Sequence, residues 1–410
     1  MEKLAQQQFA ERERRIEDAV QLKTPDRVPI MLNLGYFPAK YAGITCADAF
    51  YDLAKWKMAI KRTITELQPD FHLYMRPMSG CALEALDHKQ MLWPGGHGYA
   101  PNHTFQFVEG EYMKAEEYDA FLEDPTDFLI RTYMPRVNSA LQSFQQLPHL
   151  TVLLFGPTSI LGMPGLESAV SAMARARQEI VRWDSEMSVF DEEISLLGYP
   201  AYTKVSAFTP FDIISDRLRG MRGSMLDMYK RPEKLIQSCE KLLPILLRSA
   251  IAHAKATGVP RVYMPLHRGA EGFMSIKQFE TFYWPTLKRM ILGFIDAGLT
   301  PCPFFEGDYT SRLNYLLELP AGKVIGHFDN SDINKVKEIL GSHICIMGNV
   351  PPSLLQIGTQ EEVKNYCRTL IDEIGRKGGF ILASRSAVDE AKPENVKAMI
   401  DFTKEYGVYR

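Results

Sequence analysis

Five short apolar runs in residues 261–386 each lead into polar side chains able to do chemistry: Arg261-Val-Tyr-Met-Pro-Leu-His267, Leu299-Thr-Pro-Cys-Pro-Phe-Phe-Glu306, Lys323-Val-Ile-Gly-His327-Phe-Asp329, His343-Ile-Cys-Ile-Met-Gly-Asn349 and Phe380-Ile-Leu-Ala-Ser384-Arg385-Ser386. A parallel strand buried on both faces reads as such a run. Amphipathic stretches at 277–297, 310–319, 331–340 and 359–376 separate them, so the repeating unit is strand, polar loop, helix. This many βα units in one chain predict an α/β protein, a TIM (β/α)8 barrel, in preference to an open doubly wound sheet. No Gly-x-Gly-x-x-Gly follows any of the strands, so the dinucleotide-binding fingerprint is missing. In a barrel, polar residues at the carboxyl ends of the strands converge on one mouth, and the active site is expected there.

Outward from this stretch, residues 7–22 predict a charged N-terminal helix, Val28–Leu34 a first strand, 47–67 a helix and Phe71–Arg76 a second strand. Residues 78–113 are rich in Gly and Pro, as in Trp93-Pro-Gly-Gly-His-Gly98, and predict an inserted loop with a hairpin around Phe105–Val108 and Tyr112. Helices are expected at 115–123, 126–147, 167–196 and 226–257, with strand and loop over 200–210. Thr151-Val-Leu-Leu-Phe155, running into Gly156-Pro-Thr-Ser159, reads as the third strand. No linker, charge block or low-complexity stretch divides the chain, which predicts one barrel domain over 1–410 with an N-terminal extension and the insertion at about 78–113.

The chain is 46% hydrophobic and 24% charged, the balance of an ordinary globular enzyme, and its formal net charge of −3 gives no electrostatic case for nucleic acid or an anionic membrane. The six cysteines are scattered and form no CxxC or disulfide framework, pointing to reduced thiols. The first residues lack the apolar core of a signal peptide, and no stretch approaches the roughly 18 apolar residues of a membrane span. A cytoplasmic, membrane-free protein is expected.

His267, Glu306 and His327 form the sharpest constellation. Twenty residues lie between Glu306 and His327, about one strand, loop and helix, which puts the two on neighbouring strands. Imidazole and carboxylate with an open position match catalytic zinc, whose vacant site polarises a substrate oxygen. The competing reading is that these residues only satisfy backbone groups at the barrel rim. Asp329 is placed to orient His327 or to serve as acid or base. Asp332 reads as the N-cap of the helix after it. Asn349 is placed either to hydrogen-bond a ligand or to shape the turn before Pro351. Arg268 and Arg385 are placed either to pair with a substrate carboxylate or to close rim salt bridges. Phe273 and Tyr283, within a run of aromatic residues from 273 to 284, offer a surface for a flat substrate or the packed face of a helix.

Several stretches resemble one family. Arg15-Ile-Glu-Asp-Ala-Val, Asp26-Arg-Val-Pro-Ile30, Gly156-Pro-Thr-Ser, Gly348-Asn-Val-Pro-Pro, Gly379-Phe-Ile-Leu and Lys392-Pro-Glu-Asn-Val-Lys-Ala-Met399 together resemble the uroporphyrinogen decarboxylase superfamily. The resemblance runs over nearly the whole chain. It implies a TIM barrel and a homodimer. It also implies one of two activities, tetrapyrrole decarboxylation or zinc-dependent methyl transfer with corrinoid proteins.

Two departures choose between them. Where the decarboxylase carries an arginine-rich segment after its first strand, this chain reads Met31-Leu-Asn-Leu-Gly-Tyr-Phe-Pro-Ala-Lys-Tyr41, with no arginine to grip an anionic tetrapyrrole. Where the thiol-methylating branch has two cysteines, this chain keeps His267 but has Gly269 and, at about the second place, Ser386. What remains resembles the branch that demethylates methoxy-aromatics. That resemblance implies zinc on His267, Glu306 and His327, with Asp329 and Asn349 as catalytic support. It implies substrate contacts from Phe273, Tyr283, Arg268 and Arg385, a small methylated donor, and a corrinoid carried by a partner protein. The alternatives are a metal-free decarboxylase acting on a tetrapyrrole or smaller acid, and a non-catalytic module that binds a tetrapyrrole or corrinoid.

Overall fold

The structure, a computed structural model, describes residues 2–156 and 158–409, so Pro157 of the expected Gly156–Ser159 turn lies outside the described residues. Among the described residues nine strands form: β1 Met31–Gly35, β2 Phe71–Tyr74, β3 Met91–Leu92, β4 Gln106–Phe107, β5 Arg261–Leu266, β6 Thr300–Phe305, β7 Ile325–Phe328, β8 Cys345–Val350 and β9 Phe380–Ser384. β5 to β9 pair in sequence order as one parallel sheet, matching the five runs from which the barrel was read. β1 pairs in parallel with β2, and a parallel bridge from Ile30 to Leu382 joins β1 to β9. The circuit closes through residues 201–206, where Ala201 bridges His72 on one side and Ser206 bridges Tyr263 on the other. That segment is the third of eight members in the ring.

Thr151–Phe155 is therefore not the third strand. Residues Leu150–Phe155 form a short helix, with Leu154 and Phe155 exposed. Four consecutive apolar residues, Val152–Phe155, satisfy either secondary structure, and no period distinguishes them. The true third member lies within the strand and loop expected over 200–210, and its pairing is irregular. The Thr203 hydroxyl accepts from Val205 N–H at 3.0 Å and donates to the Arg261 carbonyl at 2.9 Å, so a side chain replaces part of a backbone ladder. The expected hairpin is also re-paired: β4 joins β3, not the chain near Tyr112.

The N-terminal helix, Glu2–Val20, closes the amino end of the barrel. Its Ile16, Ala19 and Val20 pack against the inward residues Met31, Phe71, Tyr202, Cys302, Ile325, Cys345 and Ile381. Charged residues fix it there. Buried Asp70 accepts Arg15 Nη1 at 2.6 Å, Arg27 through both guanidinium nitrogens at 2.7 Å, and Ile30 N–H at 2.8 Å. Arg261, at the start of β5, holds Glu13 with two bonds of 2.8 Å. Among the described residues no helix is long and apolar enough to cross a membrane.

Register decides which side chains share a level inside the barrel. Pro265 lies opposite Phe304, Phe304 opposite His327, and His327 opposite Met347. Side chains alternate along a strand, so the next inward level is two residues higher: His267, Glu306, Asp329 and Asn349. His327 thus belongs to the lower level. It is 1% exposed, lies 4.6 Å from the Phe304 ring centre and hydrogen-bonds the Ser384 carbonyl through Nε2 at 2.8 Å. Burial keeps its imidazole neutral, bringing the pKa from 6.5 down to about 4.

Two stability predictions follow from these contacts. Asp70→Ala leaves two arginines without their buried partner and is expected to cost about 3–5 kcal/mol in urea unfolding. As pH falls from 6.5 towards 4, the unfolded chain takes a proton that folded His327 refuses, and stability drops by about 3 kcal/mol. His327→Gln should remove its share of that fall from the profile of unfolding free energy against pH, leaving the like share of buried His72, whose pKa burial also lowers to about 4.

Candidate active site

The upper level is built around His267, the residue after β5. Its Nδ1 lies 2.5 Å from an Asp216 carboxylate oxygen, and its Nε2 lies 3.6 Å from Glu306 Oε2. Asp212 holds the backbone of this corner: its two oxygens accept His267 N–H at 3.3 Å and Arg268 N–H at 3.0 Å, and the Tyr283 hydroxyl donates to it at 2.6 Å. Asp212 and Asp216 stand one helical turn apart at the start of the helical segment that begins at Pro210, where the Thr209 hydroxyl caps Asp212 N–H.

Acidic groups dominate the electrostatics. Burial works against the charged form of His267, but Asp216, Asp212 and Glu306 outweigh it and raise its pKa. Complete burial pushes the Asp212 carboxyl up to about 6, against the pull of His267. Partial burial also raises Glu306, with Asp329 and Asp216 adding to it and His267 opposing. Asp329, raised by burial, accepts Gly307 N–H at 3.1 Å and the Asn330 amide at 3.0 Å.

Of the three expected ligands, His267 and Glu306 come together and His327 does not, because the register places it one level below. Two donors each roughly 2.0–2.2 Å from one tetrahedral zinc sit about 3.4 Å apart, close to the spacing of His267 Nε2 and Glu306 Oε2. A carboxylate on the far nitrogen, here Asp216, is what a ligating histidine ordinarily carries. The pair and its support thus fit a metal ion. Among the described residues, however, no group of three His, Cys, Asp or Glu side chains is close enough to hold one unaided.

The remaining candidates divide as follows. Asp329 joins the upper level beside Glu306. Asn349 is 2% exposed; its amide donates to the Asp329 carbonyl at 3.4 Å and its side-chain oxygen accepts the Tyr366 hydroxyl at 3.3 Å, which makes it a support for the mouth. Arg268 is taken by Ser215 and Asp216 and lies over Phe273, and Arg385 is taken by Asn349 and Asn330. Both are rim contacts. Tyr283 is fully buried and serves Asp212. Asp332 is the N-cap expected of it.

A cavity of about 710 Å³ opens beside His267, and of the candidate site residues singled out in the sequence His267 alone lines it. Its aromatic wall is made by Tyr36, Phe105, Phe107, Phe208 and Tyr263, not by the aromatic run after Gly272. The inserted region contributes Thr104, Phe105 and Phe107 to that wall. Gly269 explains one departure from the thiol-methylating pattern. A Cβ there would stand 2.6 Å from the Tyr283 ring and 2.7 Å from the Tyr309 hydroxyl, so a cysteine has no room. Sequence reasoning missed Asp212, Asp216 and the cavity wall. The signal for the first two was a pair of aspartates four apart after Thr209-Pro210, obscured by the misplaced third strand.

Residues 203–406 match the family model described as uroporphyrinogen decarboxylase (URO-D). Among curated proteins, the chain is 24% identical over 175 residues to uroporphyrinogen decarboxylase of Syntrophotalea carbinolica, covering 42% of this chain and 49% of that protein. To the Danio rerio uroporphyrinogen decarboxylase it is 24% identical over 177 residues, covering 42% and 47%. The chain thus spans about half the length of the curated relatives it matches. A solved methyltransferase from Methanosarcina mazei superposes with a TM-score of 0.62 at 13% identity, over 96% of this chain and 98% of that one, a likeness of fold. The matched stretch carries Asp212, His267, Glu306, Asp329 and Asn349, so the residues that gather at the mouth of the barrel lie where this chain is similar to the uroporphyrinogen decarboxylase family.

Proposed function

We propose that this chain is a methyltransferase that removes the methyl group of a small methoxy-aromatic and passes it to the cobalt of a corrinoid carried by a partner protein. The observation that carries the reading is the pairing of His267 Nε2 and Glu306 Oε2 at 3.6 Å, with Asp216 on the far side of the imidazole. His267 and Glu306 would hold zinc, with Asp329 as the next carboxylate on the same level. When bound, zinc supplies Lewis acidity that makes the departing oxygen a better leaving group. Asp216 keeps the imidazole turned towards Glu306, and Asp212 holds the backbone beneath it. Tyr36, Phe105, Phe107 and Phe208 give a flat ring an apolar bed and exclude water around it. The fold shared with a methyltransferase from Methanosarcina mazei is consistent with this reading.

A second reading rests on the raised pKa of His267 between carboxylates, which makes it a proton source without any metal. In a decarboxylation, loss of carbon dioxide leaves an electron pair on carbon, and that carbon would take the His267 proton. The curated relatives are named decarboxylases, but Arg268 and Arg385 are already engaged by neighbours, which weighs against a polyanionic tetrapyrrole.

Metal analysis of protein purified without chelator or affinity metal separates the two. About one zinc per chain is expected, lost in His267→Ala and Glu306→Gln and kept in His327→Gln. Asp216→Asn should weaken metal affinity by about 10–100-fold. Demethylation of methoxy-aromatics with a cobalt(I) corrinoid protein should follow metal content across these variants. A metal-free wild type that releases carbon dioxide from an aromatic acid would move the assignment to the second reading.

A further inference from the structure

The cavity has a second charged end, away from His267. Arg76 and Lys204 both line it, together with Tyr74 and Asp191. One Asp191 oxygen accepts the Tyr74 hydroxyl and the other accepts Arg76 Nη1 at 2.7 Å. Arg76 Nη2 makes two longer bonds of 3.4 Å, to the Asp184 carbonyl and the Ser188 hydroxyl. Lys204 Nζ stands 3.9 Å from Asp191, beyond hydrogen-bonding distance, although its side chain is only 20% exposed. Among the described residues it has no closer acidic partner. One carboxylate therefore serves two cations. The other acidic residue of the wall, Asp389, is committed elsewhere, accepting Tyr36 N–H at 2.5 Å.

An ammonium group held in a part-buried, mostly apolar wall without a direct hydrogen-bond partner favours an incoming anion. One run of chain connects Lys204 with the neighbourhood of His267: residues 203–206 and Phe208 line the cavity, and the Phe208 ring meets the His267 ring edge-on at 5.9 Å. A flat ligand gripped at Lys204 is thereby bedded on aromatic side chains with its other end towards His267.

We propose that Lys204, supported by Arg76, receives a carboxylate on the substrate, so that the donor is a methoxylated aromatic acid and not a neutral aryl ether. This rests on reading the cavity as the substrate pocket of a demethylase. The grip on the acid is independent of methyl transfer and can be tested without it.

Calorimetric binding of benzoate, 4-methoxybenzoate and methoxybenzene to the full chain provides the test. Wild type should bind both acids about tenfold more tightly than the neutral ether, the size of one charge-assisted hydrogen bond. Lys204→Met should abolish that preference while leaving methoxybenzene binding unchanged, and Lys204→Arg should restore it. Equal affinity for acid and ether in wild type, binding of none of the three, or a Lys204→Met loss shared by acid and ether would overturn the proposal. Benzoate has no methyl group to give. Tight benzoate binding without demethylation of 4-methoxybenzoate would therefore refute the methyltransferase reading and leave the acid grip standing.

Discussion

Strand register is the constraint on which the site depends. Inward side chains recur every second residue, and parallel pairing slides each strand by a set amount against its neighbour, so contact at the mouth is decided by level and not by closeness in sequence. Pairing of Phe304 with His327 fixes β7 against β6 and thereby brings Asp329, not His327, to the level of His267 and Glu306. The same pairing consigns His327 to the dry interior, where a neutral imidazole donating to a carbonyl is the form that survives.

Below that level the barrel is organised to stay shut. The N-terminal helix is polar over much of its surface, yet it ends the barrel core, because Arg15, Glu13 and the buried Asp70 tie its charged face to strand ends while Ile16, Ala19 and Val20 fill the lumen. Above it the mouth gathers negative charge, from Asp212, Asp216, Glu306 and Asp329 around one histidine. Burial, with neighbouring carboxylates adding to it, raises the pKa values of Asp212 and Glu306 and makes a cation, whether a proton or a metal ion, the natural guest at this end. The cavity beside it also carries two cations, Lys204 and Arg76, around the single carboxylate of Asp191.

The five C-terminal strands were legible because buried parallel strands are continuous apolar runs with polar ends, and each is found where its run predicts. The third barrel member was legible only as strand and loop over 200–210, and its place in the ring was not, since Ala201–Ser206 pairs through single bridges and a threonine hydroxyl while a more apolar run nearby folded as a helix. His267, Glu306 and Asp329 could be read from their places after strand ends. His327 was drawn into the same group because distance along the chain says nothing about level. The cavity wall was beyond reach of the sequence: Tyr36, Phe105, Phe107 and Phe208 come from three separate segments, and nothing in their local spacing shows that they meet.

The crowding at Gly269 also sets a distance between chemistries within this fold. A thiolate at that position needs space now filled by the ring of Tyr283 and the hydroxyl of Tyr309. Yet Tyr283 bonds Asp212, which holds the backbone of His267, and Tyr309 bonds the Leu266 carbonyl one residue earlier. Any path from this oxygen- and nitrogen-rich mouth to a cysteine-bearing one must therefore rebuild the support of its central histidine first, so the two kinds of site are separated by coupled changes and not by a single codon.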